Sequence, residues 1–313
     1  MSKDISIGSW AYTIGPYAKS PVDFETVCDR LEELGFNGVE LGSFKPHPNP
    51  DDLPWKSQRE ELMERMQERG LAFSGIAANL WGEKLINTDD QSHYIQEFRK
   101  NSEFARDLGI AGVRVDCVQP PTIHLEVDYE TALNRVVKTW QTCCDIESDN
   151  GQYVAWEFEP GFAFNKPSDV LRIHDAVNKL NFGVMYDTCH GQMVGVMGVR
   201  QEGQKETFPN QVEFIRKLAG RINHIHLIDS DNTCHKDDNG EDETSAHPPF
   251  GLGVLNFDEI MPELLKAAKV PHNWWTIDLC FWPDAWTATE SCKKYMDQLV
   301  AKYGSRTPEI THA

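Results

Sequence analysis

The chain has 313 residues, of which 30 are basic and 49 acidic, so its net charge is −19. Such a surface repels nucleic acid and anionic membranes, and no local basic patch offsets it. The N-terminal MSKDISIGSW lacks an apolar signal region and no run approaches a membrane span, so we expect a cytoplasmic protein without a membrane segment. Eight cysteines without CxxC or a metal-ligand spacing indicate reduced, mostly buried thiols.

Short apolar runs alternate with amphipathic stretches along the chain, and the alternation predicts eight strand–helix units. In the first helix, Phe24, Val27, Leu31 and Leu34 share one face, and Gly35 ends it. The predicted strands cover residues 5–11, 38–41, 71–77, 112–116, 153–158, 182–187, 222–228 and 274–280.

Eight such units with near-continuous apolar strands predict a single-domain (β/α)8 TIM barrel over residues 1–313. A doubly wound sheet is the structural alternative, but its GxGxxG turn is absent after the first strand. Two loops, 191–207 and 229–255, follow the sixth and seventh strands. The second is long and acidic, and both a solvated excursion and an active-site lid are compatible with it.

Polar residues stand at the carboxyl ends of the last four strands: Glu157, Asp187, His226 and Asp278. In a barrel these ends lie on one arc of one rim, so the side chains can converge. Three carboxylates and one imidazole repel each other unless a cation lies between them. Ligation by oxygens and one nitrogen suits one divalent ion. We expect Mn²⁺, with Mg²⁺, Co²⁺ or Zn²⁺ as alternatives.

Each of these residues, taken alone, has a structural explanation. A strand-end aspartate commonly caps a helix or forms a turn. His224 and His226 alternate on one strand, where a histidine is usually part of a hydrogen-bonded core. The occurrence of all four residues at successive strand ends favours the metal site.

The motifs resemble those of the xylose isomerase-like TIM barrels, the sugar phosphate isomerase/epimerase group. That group also contains ketose 3-epimerases, inosose dehydratases and type IV apurinic (AP) endonucleases. The matching features are E-x-x-PG at residues 157–161, D-x-x-H at 187–190, H-x-x-D at 226–229, G-x-G-x-L-x-F at 251–257 and the eighth-strand acid, Asp278.

The resemblance implies that Glu157, Asp187, His226 and Asp278 hold one divalent ion. It also implies that Glu157 and Asp278 are the catalytic acid/base pair on opposite faces of the substrate. His190 would bind a substrate oxygen near the ion. The metal would stabilise an enediolate formed next to the carbonyl, and no nucleotide cofactor is needed.

The sequence departs from the epimerase pattern in two places. Asp278 replaces a glutamate, which shortens its reach as a base, and Asn232 stands where the epimerases have an arginine. Glu159 is a candidate to replace a ligand, to supply a second acid/base group or to bind the substrate, and a helix-capping or loop role is the structural alternative. His247 occupies the place of an additional endonuclease ligand, and we interpret it as a substrate contact or a loop anchor.

Several other residues have both a functional and a structural interpretation. Trp10, Trp81 and Trp282 are candidates to stack on a sugar or to pack at the rim, and we include Trp10 in the substrate site. Glu40 suits a substrate contact or a structural hydrogen bond. For Arg114 and Asp116, an internal ion pair is a sufficient explanation.

These observations predict a metal-dependent sugar isomerase or epimerase acting on a small sugar or keto-sugar. The alternative is a lyase or dehydratase that uses the same enolate chemistry on a keto-sugar, a keto-inositol or a 3-keto-glycoside. A non-catalytic carbohydrate-binding barrel and an AP endonuclease are the further alternatives, and the charge argues against DNA. A homo-oligomer or a partner subunit is compatible with the acidic loop.

Overall fold

Eight parallel strands alternate with helices and close into a barrel. The structure is a computed structural model that describes residues 2–236 and 239–304. Each strand pairs with the next along the chain, and the last barrel strand pairs with the first. A parallel bridge between Gly8 and Glu40 joins the first and second strands. The predicted (β/α)8 fold is therefore confirmed. The remaining residues that the single-domain prediction includes, 1, 237, 238 and 305–313, lie outside the described part.

The elements follow in chain order, with ten strands and nine α-helices in the described residues. The strands are β1 (Asp4–Ile7), β2 (Gly38–Gly42), β3 (Ala72–Ala77), β4 (Gly112–Val115), β5 (Tyr153–Glu157), β6 (Phe182–Asp187), β7 (Ile222–Leu227), β8 (Cys234–Lys236), β9 (Asp242–Ser245) and β10 (Trp274–Ile277). The helices are α1 (Phe24–Glu33), α2 (Lys56–Glu68), α3 (Ser92–Asp107), α4 (Tyr129–Asn150), α5 (Pro167–Val177), α6 (Thr188–Gly195), α7 (Gln211–Lys217), α8 (Phe257–Ala267) and α9 (Ala285–Tyr303).

The core lies between the strands and the inner faces of the helices. In α1, Phe24, Val27 and Leu31 are buried as predicted, and Asp23 caps its first turn by accepting from the N–H groups of Glu25 and Thr26. Gly35 has φ of 70°, a conformation that glycine adopts easily at a helix end. Burial of apolar faces on both sides explains why the strands read as continuous apolar runs.

The first strand is shorter than the apolar run that predicts it. β1 ends at Ile7 rather than at residue 11, because a 3₁₀ helix over Ser9–Tyr12 follows it. All four residues of that helix are buried, so the apolar pattern continues although the strand has ended. The helix turns Trp10 inward at the carboxyl end of the barrel.

The two long loops also differ from the prediction. The segment 191–207 begins inside α6, which starts directly after β6. The loop 229–255 contains the antiparallel hairpin β8–β9, which the sequence analysis did not predict. The end of this loop is fixed by Asp229, whose carboxylate accepts from the backbone N–H groups of Gly251, Gly253 and Leu255. The aspartate of the H-x-x-D motif thus binds the backbone of the G-x-G-x-L motif, and this contact joins the two ends of the loop.

No helix among the described residues is long and apolar enough to cross a membrane.

Candidate active site

The carboxyl ends of β5, β6, β7 and β10 bring the four predicted metal ligands together. One side-chain atom each of Glu157, Asp187, His226 and Asp278 lies within 4.8 Å of the others. All four residues are buried, with at most 3% of any of them exposed. The strand order predicts this convergence, and the geometry agrees with it.

The cluster contains polar atoms that lack partners. Glu157 Oε1, Asp187 Oδ2 and His226 Nδ1 are buried without a hydrogen bond among the described residues. His226 Nδ1 nevertheless lies 3.2 Å from Glu157 Oε1 and 3.6 Å from Asp278 Oδ2. Buried polar groups are normally satisfied. Unpaired oxygen and nitrogen atoms that lie this close together therefore fit a shared divalent ion, because one ion can bind all of them at once.

The charges of the cluster fit a cation as well. Burial raises the pKa of Asp187 well above its ordinary value, and the neighbouring carboxylates of Asp278 and Glu157 raise it further. Burial acts in the same direction on Glu157, but the Arg114 guanidinium, His226 and His190 together outweigh it and hold the pKa of Glu157 below its usual range. A divalent ion would relieve the mutual repulsion of these carboxylates.

Glu40 orients His226 from inside the barrel. Its Oε1 lies 3.1 Å from His226 Nε2, and its Oε2 lies 2.8 Å from His224 Nε2 and accepts from the Thr276 hydroxyl. Because an ionised carboxylate only accepts, the Nε2 of His226 carries a proton, and in the neutral ring Nδ1 offers its lone pair to the cluster. Of the two interpretations of Glu40, the structure supports the structural hydrogen bond.

The position of Asp187 is compatible with both of the roles that the sequence left open. Its Oδ1 accepts from the backbone N–H of His190 at 2.8 Å and so caps α6, while its Oδ2 faces the cluster. The helix cap and the ligand position are compatible because they use different oxygens.

Asp278 is held by two donors. Its Oδ1 accepts from the indole N–H of Trp10 at 2.8 Å and from the backbone N–H of Cys280 at 2.9 Å. Burial opposes ionisation, but His247, His226 and the Trp10 hydrogen bond keep the pKa of Asp278 below its ordinary value. Trp10 lines the cavity above the cluster, so its predicted place in the site is compatible with the structure.

Arg114 is the site residue that the sequence analysis missed. Its Nε lies 2.7 Å from Glu157 Oε2, and its guanidinium also lies 3.5 Å from carboxylate oxygens of Asp116 and of Glu159. The predicted ion pair with Asp116 is present, but it does not account for the contacts of Arg114 with Glu157 and Glu159. Arg114 stands in β4, next to the strand of Glu157 and opposite Ala155, and no local sequence pattern marks this register.

Glu159 lies beside the cluster rather than in it. It lines the cavity and accepts a hydrogen bond from the Thr244 hydroxyl of β9. Burial, together with the nearby charge of Glu157, raises the pKa of Glu159 to about 8. The position is compatible with an acid/base or a substrate-binding role and excludes a helix cap.

The hairpin completes the opposite side of the site. Ser245 of β9 contacts His190, with 2.9 Å between Oγ and Nδ1, and His247 follows two residues later. The rings of His190 and His247 are 4.8 Å apart and both line the cavity. Burial lowers the pKa of His190 to about 3, so its imidazole is neutral. The loop therefore contributes directly to the site, as one of its two interpretations requires.

The cavity above the cluster has a volume of about 440 Å³. Trp81 lines it and donates its indole N–H to Asp116 at 3.0 Å. Trp282 packs against the core instead, and its neighbour Phe281 lines the cavity. Asn232 is also outside the lining: its Oδ1 accepts from Gln192, and its backbone is left-handed, with φ of 64°.

Residues 28–287 match the family described as xylose isomerase-like TIM barrel. The match covers most of the chain, which therefore belongs to this family, as its motifs predict. No curated protein matches the sequence.

Several solved structures share the fold. The IOLI protein with a bound zinc atom is 18% identical, with a TM-score of 0.71 over 98% of this chain and 100% of that one. D-psicose 3-epimerase with D-tagatose from Clostridium cellulolyticum H10 is 13% identical, with a TM-score of 0.68 over 98% and 100%. The probable 3-DHS dehydratase AsbF from Bacillus anthracis is 16% identical, with a TM-score of 0.65 over 94% and 98%. The neighbours thus include an epimerase and a dehydratase.

Proposed function

We propose that this protein is a divalent metal-dependent sugar isomerase or epimerase that moves a proton next to a carbonyl. The observation that supports it most strongly is the buried set of Glu157, Asp187, His226 and Asp278, in which an atom of each of the first three has no hydrogen-bond partner among the described residues. A purely structural cluster would be expected to satisfy these atoms. The binding-only barrel gives no account of the further carboxylate, Glu159, that lines the same cavity.

The four residues would hold one ion, and the ligand set of three carboxylates and one imidazole suits Mn²⁺, Mg²⁺, Co²⁺ or Zn²⁺. When bound, such an ion polarises a carbonyl oxygen and stabilises the negative charge that proton removal creates beside it. Zinc in the IOLI neighbour makes Zn²⁺ as reasonable a first test as the expected Mn²⁺.

Glu157 is the residue that we assign to proton removal. Its Oε2 is fixed by Arg114 at 2.7 Å while Oε1 faces the cluster, so the carboxylate is ionised and rigidly aimed. Proton transfer requires the base to be within hydrogen-bond reach of the substrate, and Glu157 lines the cavity floor. Asp278, on the other side of the cluster, would return the proton.

Three side chains besides the proposed ligands would bind the substrate. His190 contacts Ser245 through Nδ1, so we expect its Nε2 to bind a substrate oxygen. Glu159 is held by the Thr244 hydroxyl on the hairpin and faces the same cavity, which suits a hydrogen bond to a sugar hydroxyl. His247 lines the cavity with neither ring nitrogen hydrogen-bonded among the described residues, and we assign it to the substrate as well.

A lyase is the second candidate, and the surroundings of Asp278 favour it. Both the Trp10 indole and the Cys280 backbone N–H bind its Oδ1, while its Oδ2 faces the cluster. A carboxylate with both oxygens engaged in this way is better suited to bind a metal ion than to carry a proton. If it does not return the proton, the carbanion formed beside the carbonyl can expel a β-leaving group. The dehydratase among the structural neighbours is consistent with this outcome.

The experiment is incubation of the metal-loaded protein with ketoses, keto-inositols and 3-keto-glycosides in D₂O, followed by NMR. Deuterium at the α-carbon with inversion or carbonyl migration supports the isomerase or epimerase. Loss of water or of an aglycone supports the lyase. Absence of both reactions from every substrate, or bound metal retained in Asp187→Ala and His226→Ala, would overturn the proposal.

A further inference from the structure

The residues that line the cavity form a polar part, here called the floor, and an apolar part. Carboxylates and imidazoles of the proposed site form the floor. Six apolar or aromatic residues also line the cavity and are here called the apolar wall: Ile14, Phe44, Trp81, Val118, Phe162 and Phe281. They come from the loops after β1, β2, β3, β4, β5 and β10. A sugar bound to the floor leaves this wall without an occupant.

Two residues of the apolar wall are held by unusual backbone conformations. Val118 has φ of 51° and Phe281 has φ of 59°, in the left-handed region. This region is rare for non-glycine residues, above all β-branched ones, and is energetically unfavourable. Such strain persists only where the surroundings impose it, and it concentrates at ligand sites. Here it places two apolar side chains on the cavity surface.

The remaining contacts fix the aromatic rings. A Cβ at Gly15 would lie 2.4 Å from Cδ1 of Phe281, so the ring packs directly on the glycine backbone. On the other side, Phe44 and Trp81 lie 5.2 Å apart between ring centroids, and Trp81 is anchored to Asp116 through its indole N–H. Trp81 nevertheless remains 42% exposed, which is high for an aromatic ring lining a cavity. The rings are positioned and partly uncovered.

We propose that the substrate is a sugar that carries a planar, aromatic substituent, and that the apolar wall binds this substituent. The inference rests on the proposed function, because the floor must bind the sugar part. Aromatic groups stack on aromatic walls with their apolar area buried. A second sugar ring suits the wall less, because five of its six side chains have no polar atoms and the indole N–H of Trp81 is engaged. The hydroxyls of such a ring would lose water without gaining partners.

The test is calorimetric binding of phenyl β-glucoside, methyl β-glucoside and cellobiose to the metal-loaded protein. These compounds lack a ketone, so binding is measured without turnover. We expect the phenyl glucoside to bind at least about tenfold more tightly than the methyl glucoside, from the apolar area of one ring. Equal or undetectable binding of the two, or cellobiose binding as tightly as the phenyl compound, would overturn the inference.

Variants connect the preference to the wall. Phe281→Gly removes the ring and also suits the left-handed backbone, so it should fold. It should abolish most of the phenyl preference, and Phe44→Ala should reduce it from the opposite side. Trp55→Ala is the matched control, an exposed tryptophan outside the cavity, and should bind like the wild type. A phenyl preference that survives both Phe281→Gly and Phe44→Ala contradicts the wall as its cause.

The two proposals fail separately. A phenyl preference without deuterium exchange in any keto-sugar would overturn the proposed function and leave a binding site for aryl sugars. Exchange on free ketoses without a phenyl preference would overturn only the present inference.

Discussion

The backbone N–H of His190 donates to Oδ1 of Asp187 at 2.8 Å, while Oδ2 of the same carboxylate is buried without a hydrogen bond. One side chain thus starts a helix and leaves an oxygen that the proposed function assigns to the metal, and the helix carries His190 to the cavity. The spacing D-x-x-H follows from this geometry, because a helix cap accepts from a backbone N–H two or three residues later. Cap and ligand can be separated by mutation.

Asp187→Asn keeps a side-chain oxygen for the cap but removes the anionic ligand. We expect its affinity for Mn²⁺ or Zn²⁺ to fall by at least about 100-fold, since loss of outer partners alone costs about 10–100-fold. Metal content after dialysis and calorimetric titration measure this.

Asp187→Ala loses the cap as well. In the metal-free state it should be about 1 kcal/mol less stable than Asp187→Asn in urea unfolding. Equal stability of the two variants would contradict the cap, and wild-type metal affinity in either would contradict the ligand.

Glu40 is predicted to affect metal affinity through its contact with His226, although it is not one of the four proposed ligands. Glu40→Gln removes the charge that fixes the proton on His226 Nε2, and its amide can donate instead of accept. We expect a 10–100-fold loss of metal affinity, in the range typical of an outer partner of a histidine ligand.

Thr276→Val is the matched control for this change. It removes the Thr276 hydroxyl that donates to Glu40 Oε2 but keeps the carboxylate beside His226. A loss of metal affinity as large as in Glu40→Gln would show that packing, not the carboxylate, determines the effect.

Arg114 is expected to be essential for stability because three buried acids depend on it. Arg114→Met leaves Glu157, Glu159 and Asp116 without their cation. Breaking a buried ion pair in this way typically costs about 3–5 kcal/mol, which denaturant unfolding of the metal-free protein would detect.

The same measurement on the double variant identifies the cause. Arg114→Met combined with Glu157→Gln should recover part of the loss, because the uncompensated charge of Glu157 is gone. If the double variant is less stable than Arg114→Met, lost packing of the arginine stem would be the better explanation.

The barrel and the convergence of the four polar strand-end residues could be predicted because they depend on strand ends, which the apolar runs mark well. Glu157 and Asp187 each end a strand, and parallel strand ends share one rim. The predicted end of β1 was wrong, because the buried 3₁₀ helix around Trp10 continues the apolar run. Hydrophobic pattern alone does not distinguish these two structures.

The remaining site residues depend on contacts between segments far apart in sequence. Thr244 reaches the cavity only through the hairpin, which forms in an acidic loop with no strand signal in its sequence. Arg114 reaches Glu157 only through the register of β4 and β5. Neither relationship has a local sequence signal, so a single sequence does not predict it.

Glu147 makes the stability of the protein depend on pH at a point away from the site. It lies in α4, is fully buried, and has no paired cation among the described residues. Burial raises its pKa from 4.5 to about 7. Because the folded pKa is above the unfolded value, the associated stability is complete below about pH 4.5 and is lost as the pH rises through 7.

Glu147→Met removes this titration while keeping a side chain of similar length. We expect the stability of the variant relative to the wild type to increase by about 2–3 kcal/mol between pH 4.5 and pH 8, as measured by urea unfolding at each pH. Glu33→Gln, with a side chain that is 70% exposed, is the control and should show a change below about 0.5 kcal/mol. A difference between Glu147→Met and the wild type that stays constant with pH would mean that Glu147 titrates at an ordinary pKa, with its carboxylate reached by solvent.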